Sequence, residues 1–294
     1  MSTFKNLGWT AVCVSSLLLW GLGCSDDDST TDSTAADAGN NTRPNDTGGS
    51  GTSNASTSSG SDSGGGGTTG GGMRVECDFE AIDGRVVMEA ESLPISEDWV
   101  VASDRGGFYG EGFIEWTGPS RNNDPTHGVM RVQVYITEAG QYRLQWRNRI
   151  GMGDNPTEHN DTWVQFPDAA DYYGYRVDGD TETRRYPQPI CEDDARMDEL
   201  EARDDIREAT CPDGSTRDGW LKVYSTNATD WRWSTRTSDN DAHEIGVEFD
   251  EPGVYTLMMA ARGDHHLIDR LVIHQRSIDD DTVHAENLAE TRCP

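Results

Sequence analysis

Basic side chains are scarce in this chain. Lys and Arg number 24 against 53 Asp and Glu, a formal net charge of −29. Proteins that grip a phosphate backbone do so with Lys and Arg, so this balance argues against a nucleic-acid partner. It also disfavours an anionic polysaccharide unless calcium or a local Arg cluster intervenes. Long apolar runs are missing as well. The N-terminal run over residues 12–23 is about a dozen residues long, short of the roughly 20 that a membrane-crossing helix needs. No Cys-x-x-Cys pair occurs, which argues against a zinc site. Gly-x-Ser-x-Gly, His-Glu-x-x-His and a phosphate-binding glycine loop are all absent, so no familiar catalytic motif is present.

What is present begins with Cys24. Lys5 is the only charged side chain ahead of the apolar run, and small residues close it, which is the layout of a secretory signal. Gly21-Leu-Gly-Cys24 resembles a bacterial lipobox, with Gly21 where Leu is usual. That resemblance implies that Cys24 carries a lipid as the first residue of the mature protein, in the bacterial cell envelope. Ser25 behind it is compatible with the outer membrane or cell surface. The alternative is an ordinary signal cut nearby, leaving Cys24 as a thiol.

Residues 24–72 read as a tether. From residue 25 they are mostly Ser, Thr, Asp, Asn and Gly, with no aromatic residue and no Leu, Ile or Val. Such a segment buries too little apolar area to offset its chain entropy, and is expected to be disordered with a span of roughly 35–40 Å. The remaining residues, 73–294, suffice for one sizeable core.

Cys77, Cys191, Cys211 and Cys293 remain in that domain, and four cysteines allow three pairings. The expected pairs are Cys191–Cys211, closing a local loop, and Cys77–Cys293, clasping the two ends. Each would contribute about 2–4 kcal/mol.

Short strand-like runs alternate with Gly, Asn, Asp and Pro turns from residue 85 onward. Alternation is clearest in Val132, Val134, Ile136 and in Tyr142, Leu144, Trp146. The pattern predicts an all-β, antiparallel β-sandwich of the jelly-roll kind. Residues 192–209 are rich in Ala, Glu and Arg and lack Gly and Pro, so they predict a helix within a disulfide-stapled insertion over about 174–217.

Three constellations carry candidate chemistry. Glu89 and Glu91 are two apart, so on a strand they share a face. With Asp269 from the late run Ile268-Asp-Arg-Leu-Val-Ile they form an oxygen set suited to calcium; spacing alone equally allows two solvated strand carboxylates. Trp231 and Trp233 flank Arg232 in a polar run, and a flat ring among polar groups suits a sugar, whereas packing of the sandwich is the other use of such rings. His159-Asn160-Asp161-Thr-Trp163 follows a Gly- and Pro-containing loop behind Arg147 and Arg149. The paired His265 and His266 also bring transition metals to mind, without a third ligand.

Glu89-Ala-Glu91, Ala139-Gly-Gln-Tyr-Arg-Leu with Arg147, Pro252-Gly-Val-Tyr-Thr-Leu and Ile268-Asp269 occur in an order that resembles carbohydrate-binding modules of families 6 and 35, which are galactose-binding-like jelly rolls. The resemblance covers roughly residues 85–275. It implies a structural calcium at Glu89, Glu91 and Asp269. It also implies a sugar site drawing on Trp163, Trp233, Arg262 and His266, with Asn160, Asp161, Arg147 and Trp231 in support. The resulting expectation is a monomeric, lipid-anchored, non-catalytic polysaccharide binder. A jelly-roll lyase or glycosidase and a protein-binding envelope lipoprotein are the alternatives.

Overall fold

A computed structural model of the chain describes residues 76–294 except residue 215. The signal, Cys24 and the tether lie outside the described residues.

The strands are β1 (Phe79–Glu80), β2 (Arg85–Glu89), β3 (Trp99–Ala102), β4 (Phe113–Trp116), β5 (Met130–Ile136), β6 (Gly140–Ile150), β7 (Asp161–Gln165) and β8 (Asp171–Asp178). They continue with β9 (Thr181–Arg185), β10 (Ile206–Thr210), β11 (Thr216–Arg217), β12 (Trp220–Tyr224), β13 (Arg232–Trp233), β14 (Glu244–Phe249), β15 (Gly253–Ala261) and β16 (His266–Gln275). Helix α1 (Asp194–Glu201) lies between β9 and β10, and the short α2 (Asp280–Val283) follows β16.

Two sheets form a sandwich. One runs β1-β5-β15-β7-β12-β11; the other runs β10-β9-β8-β14-β6-β16-β4-β3, with β2 on β16 and β13 on β6. Alternation sets which side chains enter the core: Met130, Val132, Val134 and Ile136 face Tyr142, Leu144 and Trp146 across it, all fully buried. Pairing is antiparallel throughout the central strands. The expected antiparallel sandwich forms, with two edge pairs that depart from its pattern: β1 runs parallel to β5 and β10 parallel to β9.

The helix expected over 192–209 is shorter than its composition implied. Asp193 caps α1 by accepting from the Arg196 N–H, and the helix ends at Glu201. Ile206 and Ala209 lie on β10 and pack with Tyr173, Tyr186 and Leu200 in a small second core. Pairing of β10 with β9 therefore overrides helix propensity there. Nor is the insertion separate from the sandwich at its start: Tyr172 to Tyr175 of β8 pair with β14.

Both expected disulfides form, Cys77–Cys293 and Cys191–Cys211. The first fixes the C-terminal segment beside the first strands, where the Thr291 N–H donates to Val87 O at 3.0 Å and the Cys293 N–H to Asp78 O at 3.1 Å. Among the described residues no helix is long and apolar enough to cross a membrane.

The Cys191–Cys211 bridge closes a 20-residue separation, worth about 3 kcal/mol by loop entropy. The C191S/C211S double variant should lose about 2–4 kcal/mol in chemical denaturation. Amide exchange should accelerate over 190–210 while β5 and β6 stay protected. Uniform acceleration across both sheets would show that the staple supports the whole sandwich.

Candidate functional site

Five loops meet at one end of the sandwich and enclose two adjoining hollows of about 530 and 510 Å³. Thr157, Asn160 and Lys222 line both. The loops follow β4, β6, β12, β13 and β15, so the wall is assembled from distant parts of the chain.

Buried polar pairs hold this wall in place. Asn160 donates its amide to Ser225 O at 2.8 Å and to Pro156 O at 3.3 Å, tying the loop before β7 to the end of β12. Asp161 is buried and ion-paired with Arg262. The Gly263 N–H donates to Asp161 O at 3.0 Å. A Cβ at Gly263 would stand 2.9 Å from Asp161 Oδ1, so the loop requires glycine there for its close approach. Lys222 Nζ donates to both oxygens of Asp239 at 2.7 Å and lies 5.4 Å from the centroid of the Tyr224 ring. His159 Nδ1 meets Asp264 Oδ1 at 3.0 Å, and the Ser120 hydroxyl donates to the same oxygen at 2.5 Å. Against the burial that pushes it up, the Ser120 hydroxyl and His159 hold the Asp264 carboxyl below its usual range.

The expected sugar residues divide among four places. Asn160, Asp161 and Arg262 belong to the cleft. Trp163 does not offer a face: it is fully buried with Trp220 and Ala260, donates its indole N–H to Arg121 O, and lies under the Arg262 guanidinium at 5.0 Å. His266 is also fully buried, between the Thr162 hydroxyl at 2.8 Å and Asn148 Oδ1 at 3.3 Å, with its ring edge-on to Trp146. Neither can touch a ligand. Trp233 stacks on His284 at 4.5 Å and packs among Val87, Val272 and Val283 under the C-terminal segment, so one of its faces is covered. Trp231 and Arg147 meet at the 106–112 loop instead: Arg147 lies 3.9 Å from the centroid of Tyr109 and 5.6 Å from that of Trp231, whose N–H donates to Gly106 O. Sequence reasoning missed Lys222, Tyr224 and Asp239. Only the polarity of Asn227 and Asn240 nearby hinted at a binding rim.

The proposed calcium set converges only in part. Glu91 is in a 3-10 turn, Ala90–Ser92, and not on a strand, so the shared-face argument does not hold. Even so, the carboxylates of Glu89 and Glu91 come together at Gly110 (φ +63°), whose Cβ would fall 2.6 Å from Glu91 Oε1 and 3.1 Å from Glu89 Oε2. Asp269 faces the same loop. It accepts the Tyr109 N–H at 2.9 Å and pairs with Arg147, while Glu89 Oε1 pairs with Arg270. The Glu111 N–H, at 2.6 Å, donates to Glu91 Oε1. Three carboxylates thus face two guanidiniums. Glu89 Oε2 and Glu91 Oε2 are buried without a hydrogen-bond partner. Burial pushes the Glu91 carboxyl up, against the Glu111 N–H, and Glu89 adds to the rise. Burial also pushes Asp269 up, to about 6, against the pull of Arg147. Among the described residues no group of three His, Cys, Asp or Glu side chains is arranged to hold a metal. The two unpartnered oxygens fit a cation; Asp269, engaged by an N–H and a guanidinium, does not complete its shell.

No family model matches the chain, and no curated protein does. Solved structures similar to it include a family 35 carbohydrate-binding module from Clostridium thermocellum, at 12% identity and TM-score 0.35 over 65% of this chain and 98% of that one. The C-terminal family 6 module of a laminarinase, LamC, from Zobellia galactanivorans is 11% identical, with TM-score 0.33 over 65% and 99%. A Podospora anserina mannanase that carries a family 35 module is 12% identical, with TM-score 0.37; this chain covers 67% of itself and only 29% of that enzyme. Likenesses this slight decide nothing about the ligand, which has to be argued from the cleft.

The burial of His266 makes a titration testable. Burial depresses its pKa from 6.5 to about 3. Between those values the unfolded chain takes up a proton that the folded chain refuses, so stability is lost as the pH falls through that window. The advantage of the wild-type chain over H266Q in urea unfolding should be greatest above pH 6.5 and shrink toward pH 3. A difference that does not change with pH would show that the ring is not held neutral.

Proposed function

We propose that the sandwich binds a polysaccharide, without catalysis, in the polar cleft between β7, β12 and the loop before β16. The single observation that carries this reading is the lining. Two adjoining hollows, each within the 300–1,000 Å³ typical of ligand sites, present amide, ammonium and carboxylate groups beside the ring of Tyr224. Sugar hydroxyls suit such paired donors and acceptors, and the C–H face of a sugar suits an aromatic ring. Charge favours a neutral glycan, since the cleft places Asp161, Asp239, Asp264 and Glu158 against only Arg262 and Lys222, apart from histidine.

Binding is favoured over hydrolysis by the same contacts. A glycosidase needs one carboxyl to donate a proton and another to act as nucleophile or base. Here Asp161 is held by Arg262, Asp239 by Lys222 and Asp264 by His159, which leaves Glu158 without a second carboxyl to work with it. Attachment through Cys24 would place this cleft at a bacterial envelope surface, on a tether of roughly 35–40 Å.

K222A and Y224A should each weaken retention in affinity gels containing the polysaccharide that binds the wild-type protein by tenfold or more, with no reducing sugar released by either protein. Release of reducing or unsaturated ends would establish the lyase or glycosidase alternative. Absence of binding across neutral polysaccharides would remove the proposal.

We also propose a calcium ion at Glu89 Oε2 and Glu91 Oε2, supported by their burial without a donor. Present at about 100 times its dissociation constant, it would add about 2.7 kcal/mol. Calcium should raise the melting temperature after EDTA treatment, and E91Q should cancel the rise. An unchanged melting temperature in the wild-type chain would dismiss the ion.

A further inference from the structure

His159 and His265 share three unusual properties. Both adopt left-handed backbone conformations, with φ of 55° and 54°, although neither is glycine. Such conformations cost energy and concentrate at functional sites. Each also has its Nδ1 on a carboxylate: His159 on Asp264 Oδ1 at 3.0 Å, shared with the Asp264 carbonyl at 2.8 Å, and His265 on Glu115 at 2.7 Å. A carboxylate only accepts, so each Nδ1 carries the proton and donates it. In the neutral ring this leaves Nε2 with its lone pair. Finally, the two rings are neighbours, edge to face, with centroids 5.9 Å apart.

A carboxylate on the far nitrogen is the arrangement that orients a metal-binding imidazole and raises its basicity. Two imidazoles on one zinc ion have their nitrogens about 2.0–2.1 Å from the metal, so their centroids fall within roughly 6.5 Å of each other. The observed separation is inside that reach. Both side chains are partly open to solvent, 15% exposed at His159 and 34% at His265. The other histidines are placed differently: His243, His266 and His274 are buried, His284 stacks on Trp233, and the exposed His127 stands between Glu97 and Asp124.

We propose that His159 and His265 together bind one borderline transition cation, Zn²⁺, Ni²⁺ or Cu²⁺, through their Nε2 atoms at the lip of the cleft. Asp264 and Glu115 act as positioning residues. No third His, Cys, Asp or Glu completes the set among the described residues, so water fills the remaining positions and the ion is exchangeable. The formal charge of −29 draws cations toward the surface but does not choose between them; the nitrogen donors do.

The test uses the full-length protein in detergent, stripped with EDTA and titrated with CuCl₂ and ZnCl₂. H159N and H265N are the variants of choice, because Asn tolerates the left-handed conformation and keeps the loops folded. One Cu²⁺ per chain should bind with the electron-paramagnetic signature of two imidazole nitrogens. Each Asn variant should lose one nitrogen and bind at least tenfold more weakly. E115Q should bind about 10- to 100-fold more weakly with both nitrogens retained. H127N should match the wild type. The proposal fails if H159N and H265N bind as the wild type does, if H127N removes the signal, or if no site with two nitrogens appears. Because no sugar enters the titration, its outcome is independent of the glycan reading.

Discussion

Strand β16 is the constraint around which the rest of the domain is arranged. Nine of its ten residues are buried, and it pairs with β6 on one edge and with β2 and β4 on the other. It nevertheless carries His266, Asp269, Arg270 and His274. A buried charge or hydrogen-bonding group without a partner is costly, so each has to be answered from within the protein. His266 is answered by Thr162 and Asn148, Asp269 by Arg147 and the Tyr109 N–H, Arg270 by Glu89 and the carbonyls of Ala285 and Glu286, and His274 by Gln145 and the Gln275 carbonyl. Through these contacts the strand anchors β7, the 106–112 loop and the C-terminal segment at once.

The cleft takes its shape from the same strand. Its polar rim hangs on loops whose ends are fixed by β7, β12 and β16, and the buried pair Asp161–Arg262 ties the start of β7 to the loop before β16. Arg262 is thereby a wall of the site. Its guanidinium is sandwiched between a carboxylate and the Trp163 ring, and Trp163 shapes the cleft only from beneath.

Much of the architecture was legible in the sequence because it is local. Period-two runs located the central strands, Val132–Ile136 and Tyr142–Trp146 among them, since alternation is imposed by the pleat. Turn chemistry separated them. The segment from 202 to 209 was misread because its composition favours a helix, while its backbone pairs with β9 and its apolar residues pack on Tyr173 and Tyr186. The candidate site was less legible. Asn160, Asp161 and Arg262 were named, but so were Trp163 and His266, because a sequence shows that a residue is aromatic or titratable and not which way it faces.

The sequence by itself determined that the chain folds as a β-rich domain and where its central strands lie, because these follow from periodicity and turn residues; β1 and β8 to β11 did not show in it, and it allowed three cysteine pairings of which the structure forms the expected one. Tertiary structure alone decided which polar groups share a neighbourhood. Lys222 reaches Asp239, His159 reaches His265, and Asp269 takes Arg147 in preference to completing an acidic triad. The reason is geometric: these partners are separated by 17, 106 and 122 positions, and only sheet register and loop closure bring them within a few ångströms.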